Sequence, residues 1–211
     1  MTAASSGGFL RDQAYQRLRL AILGGTYPPG TKLVMDDLAA EFGLSQTPVR
    51  EAVARLVTEG VVVRRSRSAH VVRSHSEREA RDLVQVQTLL VLETYRLTLP
   101  LLTDRDVAEL RALNDRVVRA RSQAALAERL DAFYAAVYDR CPNPELTALR
   151  VHLRDRVLMA MREHWSAEMT RIGNDVHDLM LSRIEAGDPD GALRAMVEGW
   201  SDFTRTIGID R

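Results

Sequence analysis

The segment Leu38–Gly60, with the sequence LAAEFGLSQTPVREAVARLVTEG, constrains the fold of this chain more than any other segment. Apolar residues recur three and four positions apart on both sides of Gly43, which predicts two short amphipathic helices. Gly43 can adopt a positive φ in the turn between them, Ser45 or Thr47 can cap the second helix, and Pro48 suits its first turn. Because two apolar faces so close in sequence must pack on each other, we predict a helix-turn-helix.

Polar and basic residues cluster at the start of the second helix, the end that enters the DNA major groove in such motifs. Upstream, residues 10–23 predict a packing helix and residues 31–34 a short strand. Downstream, β-prone runs at 61–63 and 70–72 flank a basic turn, which predicts a β-hairpin wing; a solvated charged turn is the alternative interpretation. The residues expected to contact DNA are Ser45, Gln46, Thr47, Arg50, Arg55, Arg65, Arg67 and His70.

The string SQTPVREAV over residues 45–53, together with Leu33 and the Leu38-Ala39 pair, resembles the winged-helix signature of GntR-type bacterial transcription regulators. The upstream PPGTKL and the downstream EGVV fall at the spacing of that family, and the resemblance covers residues 10–73. It implies a DNA-binding winged helix-turn-helix. The alternative is a helical hairpin that only packs.

Two departures from the family pattern fall where bases are expected to be read. Many relatives carry an arginine at the position of Gln46, and some carry one at the position of Asp36, whereas Arg50 is retained. Arginine suits guanine O6 and N7, and glutamine suits adenine N6 and N7. We therefore expect a shifted operator sequence and retained DNA binding.

The net charge of zero conceals an asymmetry between the two parts of the chain. Ten Lys and Arg residues accompany six Asp and Glu residues through Arg73, so the remainder carries the opposite excess. A basic head on an acidic body suits a DNA-binding domain joined to a different kind of domain. No apolar run is long enough to cross a bilayer, the N-terminus is not an export signal, and Cys141 is the single cysteine. These features predict a cytoplasmic protein.

Helical periodicity dominates the sequence beyond Ser74. Six helices are predicted, over residues 77–99, 103–120, 123–140, 144–161, 165–186 and 189–207. On the first of them, one apolar side is expected to contain Leu83, Val86, Leu89, Leu90, Glu93 and Leu97. The predicted fold is mostly α: a winged helix-turn-helix of three helices and a small β-hairpin wing, followed by an all-α bundle of about six helices. We expect a disordered lead-in over 1–9, the DNA-binding domain over 10–74, and an effector-binding and dimerisation domain over 75–211.

The second part resembles the FCD effector domain of the FadR subfamily over residues 76–206. The matching positions include Asp131 and Tyr134, Asn143-Pro144 and Leu146, and His177 with Ile184 and residues 185–188. Many members hold a divalent metal, zinc or nickel, with one Asp and three His.

Two of those four ligands are absent from this sequence. Asp131 and His177 occupy ligand positions, whereas Ala135 and Gly199 stand at the other two. We therefore expect no tightly bound metal. Gln87 stands where many relatives carry an arginine that faces a carboxylate effector.

Taken together, the resemblances imply a homodimer that binds a pseudo-palindromic operator in double-stranded DNA, most simply as a repressor, under control of a small-molecule effector. The residues expected to line the effector pocket are Gln87, Glu93, Asp131, Tyr134 and His177. The alternative is an effector-independent DNA-binding dimer whose helical domain only dimerises. An enzyme is not expected, because the sequence has no nucleophile–base set and no phosphate-binding glycine loop.

Overall fold

The computed structural model describes residues 3–66, 69–164 and 167–206, and the chain divides into two compact units, Met1–Ser74 and His75–Arg211. The first unit contains α1 (Ala3–Gly24), β1 (Lys32–Leu33), α2 (Met35–Phe42), α3 (Gln46–Thr58), β2 (Val62–Arg64) and β3 (His70–Val72). The second unit contains α4 (Glu77–Thr98), a short 3-10 helix (Leu99–Leu101), α5 (Asp104–Val118), α6 (Gln123–Tyr138), α7 (Pro144–His164), α8 (Ala167–Glu185) and α9 (Pro189–Thr206). The predicted fold class is confirmed.

The first unit is a winged helix-turn-helix. Both α1 and α2 pack on α3, and the turn between α2 and α3 contains Gly43 at a φ of 66°, the left-handed conformation that glycine adopts without strain. The three strands form an antiparallel sheet in the order β1-β3-β2, with Arg64 opposite His70. Buried apolar residues from the three helices and the sheet form the core, among them Leu18, Ile22, Leu33, Val49, Val53, Leu56 and Val72.

The first helix begins earlier than the sequence predicts. The structure places residues 3–9 in α1, so the expectation of a disordered lead-in is wrong for these residues; Met1 and Thr2 lie outside the described part. Once the packed turns of α1 exist, each added residue gains one backbone hydrogen bond without a new nucleation step. The helix can therefore extend through Gly7-Gly8 despite their low helix propensity.

The second unit contains the six predicted helices. Ser76 and Thr103 start α4 and α5 with reciprocal capping boxes to Glu79 and Asp106, and Asn143 Oδ1 accepts a hydrogen bond of 3.1 Å from the backbone N–H of Leu146 at the start of α7. The main core cluster joins residues of every helix except α7, including Val91, Leu110, Phe133, Val137, Met180 and Met196. Trp165 and Ile207, at predicted helix ends, lie outside the described residues.

The side of α4 that the structure buries is not the apolar side that the sequence predicts. The buried side contains Ala80, Leu83, Val84, Gln87, Val91, Thr94, Tyr95 and Thr98. Val86 and Leu89, which belong to the predicted apolar side, are 46% and 67% exposed. Of the predicted apolar side, Leu83 is buried in the structure, and a second apolar stripe through Val84, Val91 and Tyr95 faces the core. Periodicity detects both stripes of this helix but cannot tell which one faces the core. None of the described helices is both long and apolar enough to cross a membrane.

Candidate functional site

The exposed start of α3 forms the first part of the candidate site. Ser45 is the N-cap residue, with extended backbone angles, and its hydroxyl makes no capping hydrogen bond. Gln46, Thr47 and Arg50 are exposed, because successive turns of the helix put Val49 and its apolar neighbours on the buried side. The structure therefore leaves Ser45, Gln46, Thr47 and Arg50 together on one solvent-facing surface, which we call the α3 surface.

Polar side chains on the α3 surface are linked to one another. Gln46 Nε2 donates a hydrogen bond to Asp36 Oδ1 on α2, and Gln46 Oε1 accepts two bonds from Arg50, from Nη2 at 2.8 Å and from Nε at 3.3 Å. This arrangement uses the Nε–Nη2 edge of the Arg50 guanidinium. Nη1 takes part in neither of these bonds, and the Arg50 side chain is exposed.

The base of the wing adds positive charge near the α3 surface. Burial lowers the pKa of His70 below its usual value, and the positive charges of Arg64 and Arg50 lower it further. Because Arg64 and His70 are paired across β2 and β3, the wing and α3 bring three basic groups close together. Arg65 is exposed after β2, and its backbone N–H donates to Ala69 O at 2.8 Å. The predicted contact residue Arg67 lies outside the described residues.

Arg64 was absent from the residues predicted to contact DNA. The signal that could have found it is the strand register, because a residue that ends β2 must stand opposite the start of β3 in a tight hairpin. The sequence alone did not fix that register.

Arg55 is separated from this surface. Five residues along α3 from Arg50, it lies on another side of the helix, where its guanidinium stacks on the Tyr15 ring at 3.7 Å and pairs with Glu59 at 3.1 Å and Asp12 at 3.6 Å. These contacts tie α1 to α3, so the structure gives Arg55 a packing role within the first unit.

In the second unit, two of the predicted pocket residues do come together. Tyr134 Oη and His177 Nε2 are joined by a hydrogen bond of 3.3 Å, and the His177 ring packs against Phe133 with 4.5 Å between ring centroids. His177 is 2% exposed, and burial lowers its pKa to about 4, so the imidazole is neutral at pH 7. Its Nδ1 has no hydrogen-bond partner in the described structure.

The residues around Asp131 do not fit a divalent metal. Asp131 Oδ1 lies 2.8 Å from Arg154 Nη1, so a guanidinium already neutralises the carboxylate. Ala135 brings no donor atom. Within the described residues, no group of three or more His, Cys, Asp or Glu is arranged to hold a metal ion.

Gly199 has a packing reason to remain a glycine. A Cβ atom at this position of α9 would lie 2.0 Å from Val176 Cγ2 on α8. The close approach of α8 and α9 therefore excludes any larger side chain, including a histidine, unless the helices separate.

The remaining predicted pocket residues are dispersed. Glu93 forms an ion pair of 2.6 Å with Arg96 on an exposed part of α4, and that hydrogen bond lowers the pKa of the Glu93 carboxyl. Gln87 is buried on α4, and its Oε1 has no partner among the described residues. The structure therefore does not bring Glu93 to the Tyr134–His177 pair.

A buried arginine beside this pair was missed by sequence reasoning. Arg150 on α7 is 1% exposed, and its Cζ lies 3.3 Å from the centroid of the Tyr138 ring. The ring of Tyr138 in turn stacks on that of Tyr134, with 5.7 Å between centroids. The available signal was the spacing of Leu146, Arg150 and Val157, which puts a charged residue on the apolar side of a helix.

Comparisons with known proteins agree with this architecture. Residues 10–72 match the model of the bacterial regulatory proteins of the gntR family, and residues 82–200 match the FCD domain. The HTH-type transcriptional regulator McbR of Escherichia coli K12 is 27% identical over 180 residues, which are 82% of this chain and 81% of McbR. The HTH-type transcriptional repressor GlaR of the same organism is 26% identical over 194 residues, covering 86% of this chain and 88% of GlaR. The solved structure of E. coli McbR/YncC superposes with a TM-score of 0.78 at 25% identity over 98% of both chains.

Proposed function

The chain belongs to the gntR family of bacterial regulatory proteins and carries an FCD domain, and from that premise we propose that it binds a pseudo-palindromic operator as a homodimer under effector control. It is a transcriptional regulator and not an enzyme. The proposal extends this to a repressor of the GlaR kind, in which a small molecule bound by the second unit changes operator occupancy.

The observation that carries the DNA-binding part is the exposed α3 surface beside a basic wing. The free hydroxyl of Ser45 and the N-terminus of α3 suit contact with a phosphate, because helix N-termini present unpaired N–H groups and a positive dipole end. Arg64 and Arg65 at the wing supply positive charge for the flanking backbone or the minor groove. Thr47 and Arg50 then face the base edges.

Arg50 is the residue to which we assign base recognition, and Gln46 is the residue that positions it. Because Gln46 occupies the Nε–Nη2 edge of Arg50 and is itself held by Asp36, the free edge of the guanidinium has a defined direction. That edge suits bidentate donation to guanine O6 and N7. In this arrangement the departures at Asp36 and Gln46 aim the arginine and do not read an adenine themselves.

The test begins with a duplex that the full chain selects from a randomised DNA library, because the operator is unidentified. Fluorescence anisotropy at fixed salt then compares wild type with Arg50→Ala. The loss of one bidentate contact per half-site, about 1–3 kcal/mol, corresponds to an affinity about 5- to 150-fold weaker for each half-site. Arg78→Ala, which removes the same charge from an exposed position on α4, is the matched control and should bind nearly as wild type. Equal effects of the two substitutions would overturn the assignment of Arg50.

The dimer is supported by the second apolar side of α4. Val86 and Leu89 are exposed there, and Leu90 and Leu97 lie on the same side of the helix. A helix side with this composition can pack against a copy of itself across a two-fold axis, which is the symmetry that a pseudo-palindromic operator requires. Sedimentation of the wild type should give a dimer, and Leu89→Glu should shift the population toward the monomer. A monomeric wild type at micromolar concentration would contradict this part of the proposal.

A further inference from the structure

The second unit contains a buried guanidinium, that of Arg150, which has no ion-pair partner among the described residues. Arg150 forms no ion pair with any carboxylate that the structure describes, and its Nε and Nη1 have no hydrogen-bond partner. Burial lowers the pKa of the guanidinium to about 10, which still leaves it charged at neutral pH. Buried charges in folded proteins are normally paired, so an unpaired guanidinium calls for an anion.

Hydroxyl groups that lack partners accompany this charge. Tyr138 lies under the guanidinium, and its Oη makes no hydrogen bond to any residue that the structure describes. The same is true of Tyr95 Oη on α4, which is fully buried and near enough to Arg150 for the guanidinium to lower its pKa against the larger effect of burial. Two O–H donors and at least two N–H donors therefore lack an acceptor in the same region. An acceptor with two oxygens and a negative charge would satisfy them.

The neighbouring acids do not serve as that acceptor. Arg154, one turn along α7, pairs with Asp131 at 2.8 Å and with Asp155 at 3.3 Å, so both carboxylates already have a cation. Arg154 also disfavours the charged form of Arg150 by repulsion. The two arginines and two aspartates balance in charge, but both carboxylates contact Arg154, and Arg150 has no ion pair with either of them among the described contacts.

We propose that Arg150, together with the hydroxyls of Tyr95 and Tyr138, binds the carboxylate group of the effector directly and without a metal. The proposal rests on the proposed function, because it names the chemistry by which the second unit would recognise its effector. Arginine suits this role because its planar N–H groups match the two oxygens of a carboxylate. This site differs from the one that the family resemblance predicts. Its cation is Arg150 on α7, which takes the place of the metal at Asp131 and of the arginine that many relatives carry at position 87.

The experiment uses acetate as the probe, because it contains the carboxylate and almost nothing else. Thermal unfolding of the full chain is followed by tryptophan fluorescence, in the presence of a chelator, with sodium acetate, sodium chloride or acetamide at matched ionic strength. Both tryptophans, Trp165 and Trp200, belong to the second unit, so the signal reports that unit. At about ten times its dissociation constant, acetate should raise the midpoint by about 2–6 °C, and chloride and acetamide should not.

Arg150→Met and Arg150→Lys complete the design. In Arg150→Met the acetate effect should disappear, and the midpoint without acetate should equal or exceed that of wild type, since an apolar side chain of similar length relieves the unpaired charge. Arg150→Lys should retain part of the acetate effect. A purely structural role for Arg150 instead predicts a lower midpoint in Arg150→Met.

Several results would overturn the proposal: no effect of acetate on wild type, an equal effect of chloride, the same effect of acetate in Arg150→Met, or an effect that requires added zinc. Operator binding by the wild type without acetate tests the proposed function separately. A negative acetate result with intact operator binding therefore rejects only the carboxylate site.

Discussion

The buried imidazole of His177 should make the second unit lose stability in mild acid. Burial lowers its pKa from 6.5 to about 4, so the unfolded chain binds a proton at a pH where the folded chain does not. Stability from this group is present above pH 6.5 and is lost as the pH falls toward 4. At about 1.4 kcal/mol per pKa unit, the full loss is about 3 kcal/mol, of which about 2 kcal/mol falls between pH 7 and pH 5.

Urea unfolding at pH 7, 6 and 5, followed by tryptophan fluorescence, measures this loss because both tryptophans belong to the second unit. His177→Gln is the comparison, since it keeps a polar side chain next to Tyr134 but has no proton to bind. Carboxylates that titrate in the same range contribute equally to both proteins. The free energy of unfolding of wild type should therefore fall by about 2 kcal/mol more than that of His177→Gln between pH 7 and pH 5. Parallel pH profiles for the two proteins would refute the assignment of a buried neutral imidazole.

Two further substitutions test packing assignments. Gly199→Ala should lower the free energy of unfolding of the second unit by about 1–3 kcal/mol, because the new methyl group meets Val176. Adding Val176→Ala should recover part of that loss. An unchanged stability of the single variant would contradict the close approach of α8 and α9. Arg55→Ala should destabilise the first unit by about 1 kcal/mol, because it loses the contacts with Tyr15 and Glu59. Circular-dichroism melting of that unit measures this loss. The DNA sequence that the protein selects should stay unchanged. A changed base preference in Arg55→Ala would instead show that Arg55 contacts DNA, as the sequence predicts.

Local sequence signals were sufficient for most of the secondary structure, except for the start of α1. Capping residues such as Ser76 and Thr103, the proline that follows Asn143, and the glycine at 43 each act within a few residues of the chain, so element bounds follow from them closely. The exposed side of α3 can be predicted in the same way, because the helix has a single buried apolar stripe and the opposite side must face solvent.

Features that depend on contacts between distant helices were not accessible in this way. The helix α4 has two apolar sides, and only the packing of other helices decides that Val91 is buried and Leu89 is exposed. Asp131 matched a ligand position, but its partner is Arg154 on the next helix, which spacing alone does not reveal. Arg150 was passed over because basic residues on helices usually face solvent, although its position on the apolar side of α7 was visible in the sequence.

The most direct test of sequence-specific recognition is a double cycle between Arg50 and a guanine of the selected duplex. Anisotropy gives the affinities of wild type and Arg50→Ala for that duplex and for a copy in which one conserved guanine per half-site is 7-deazaguanine, which lacks the N7 acceptor. We expect the modified base to weaken wild-type binding by about 5-fold or more and to leave the affinity of Arg50→Ala unchanged, because the lost acceptor and the lost donor belong to one contact. If the affinity losses caused by Arg50→Ala and by 7-deazaguanine add independently at every conserved guanine, recognition of a base by Arg50 is contradicted.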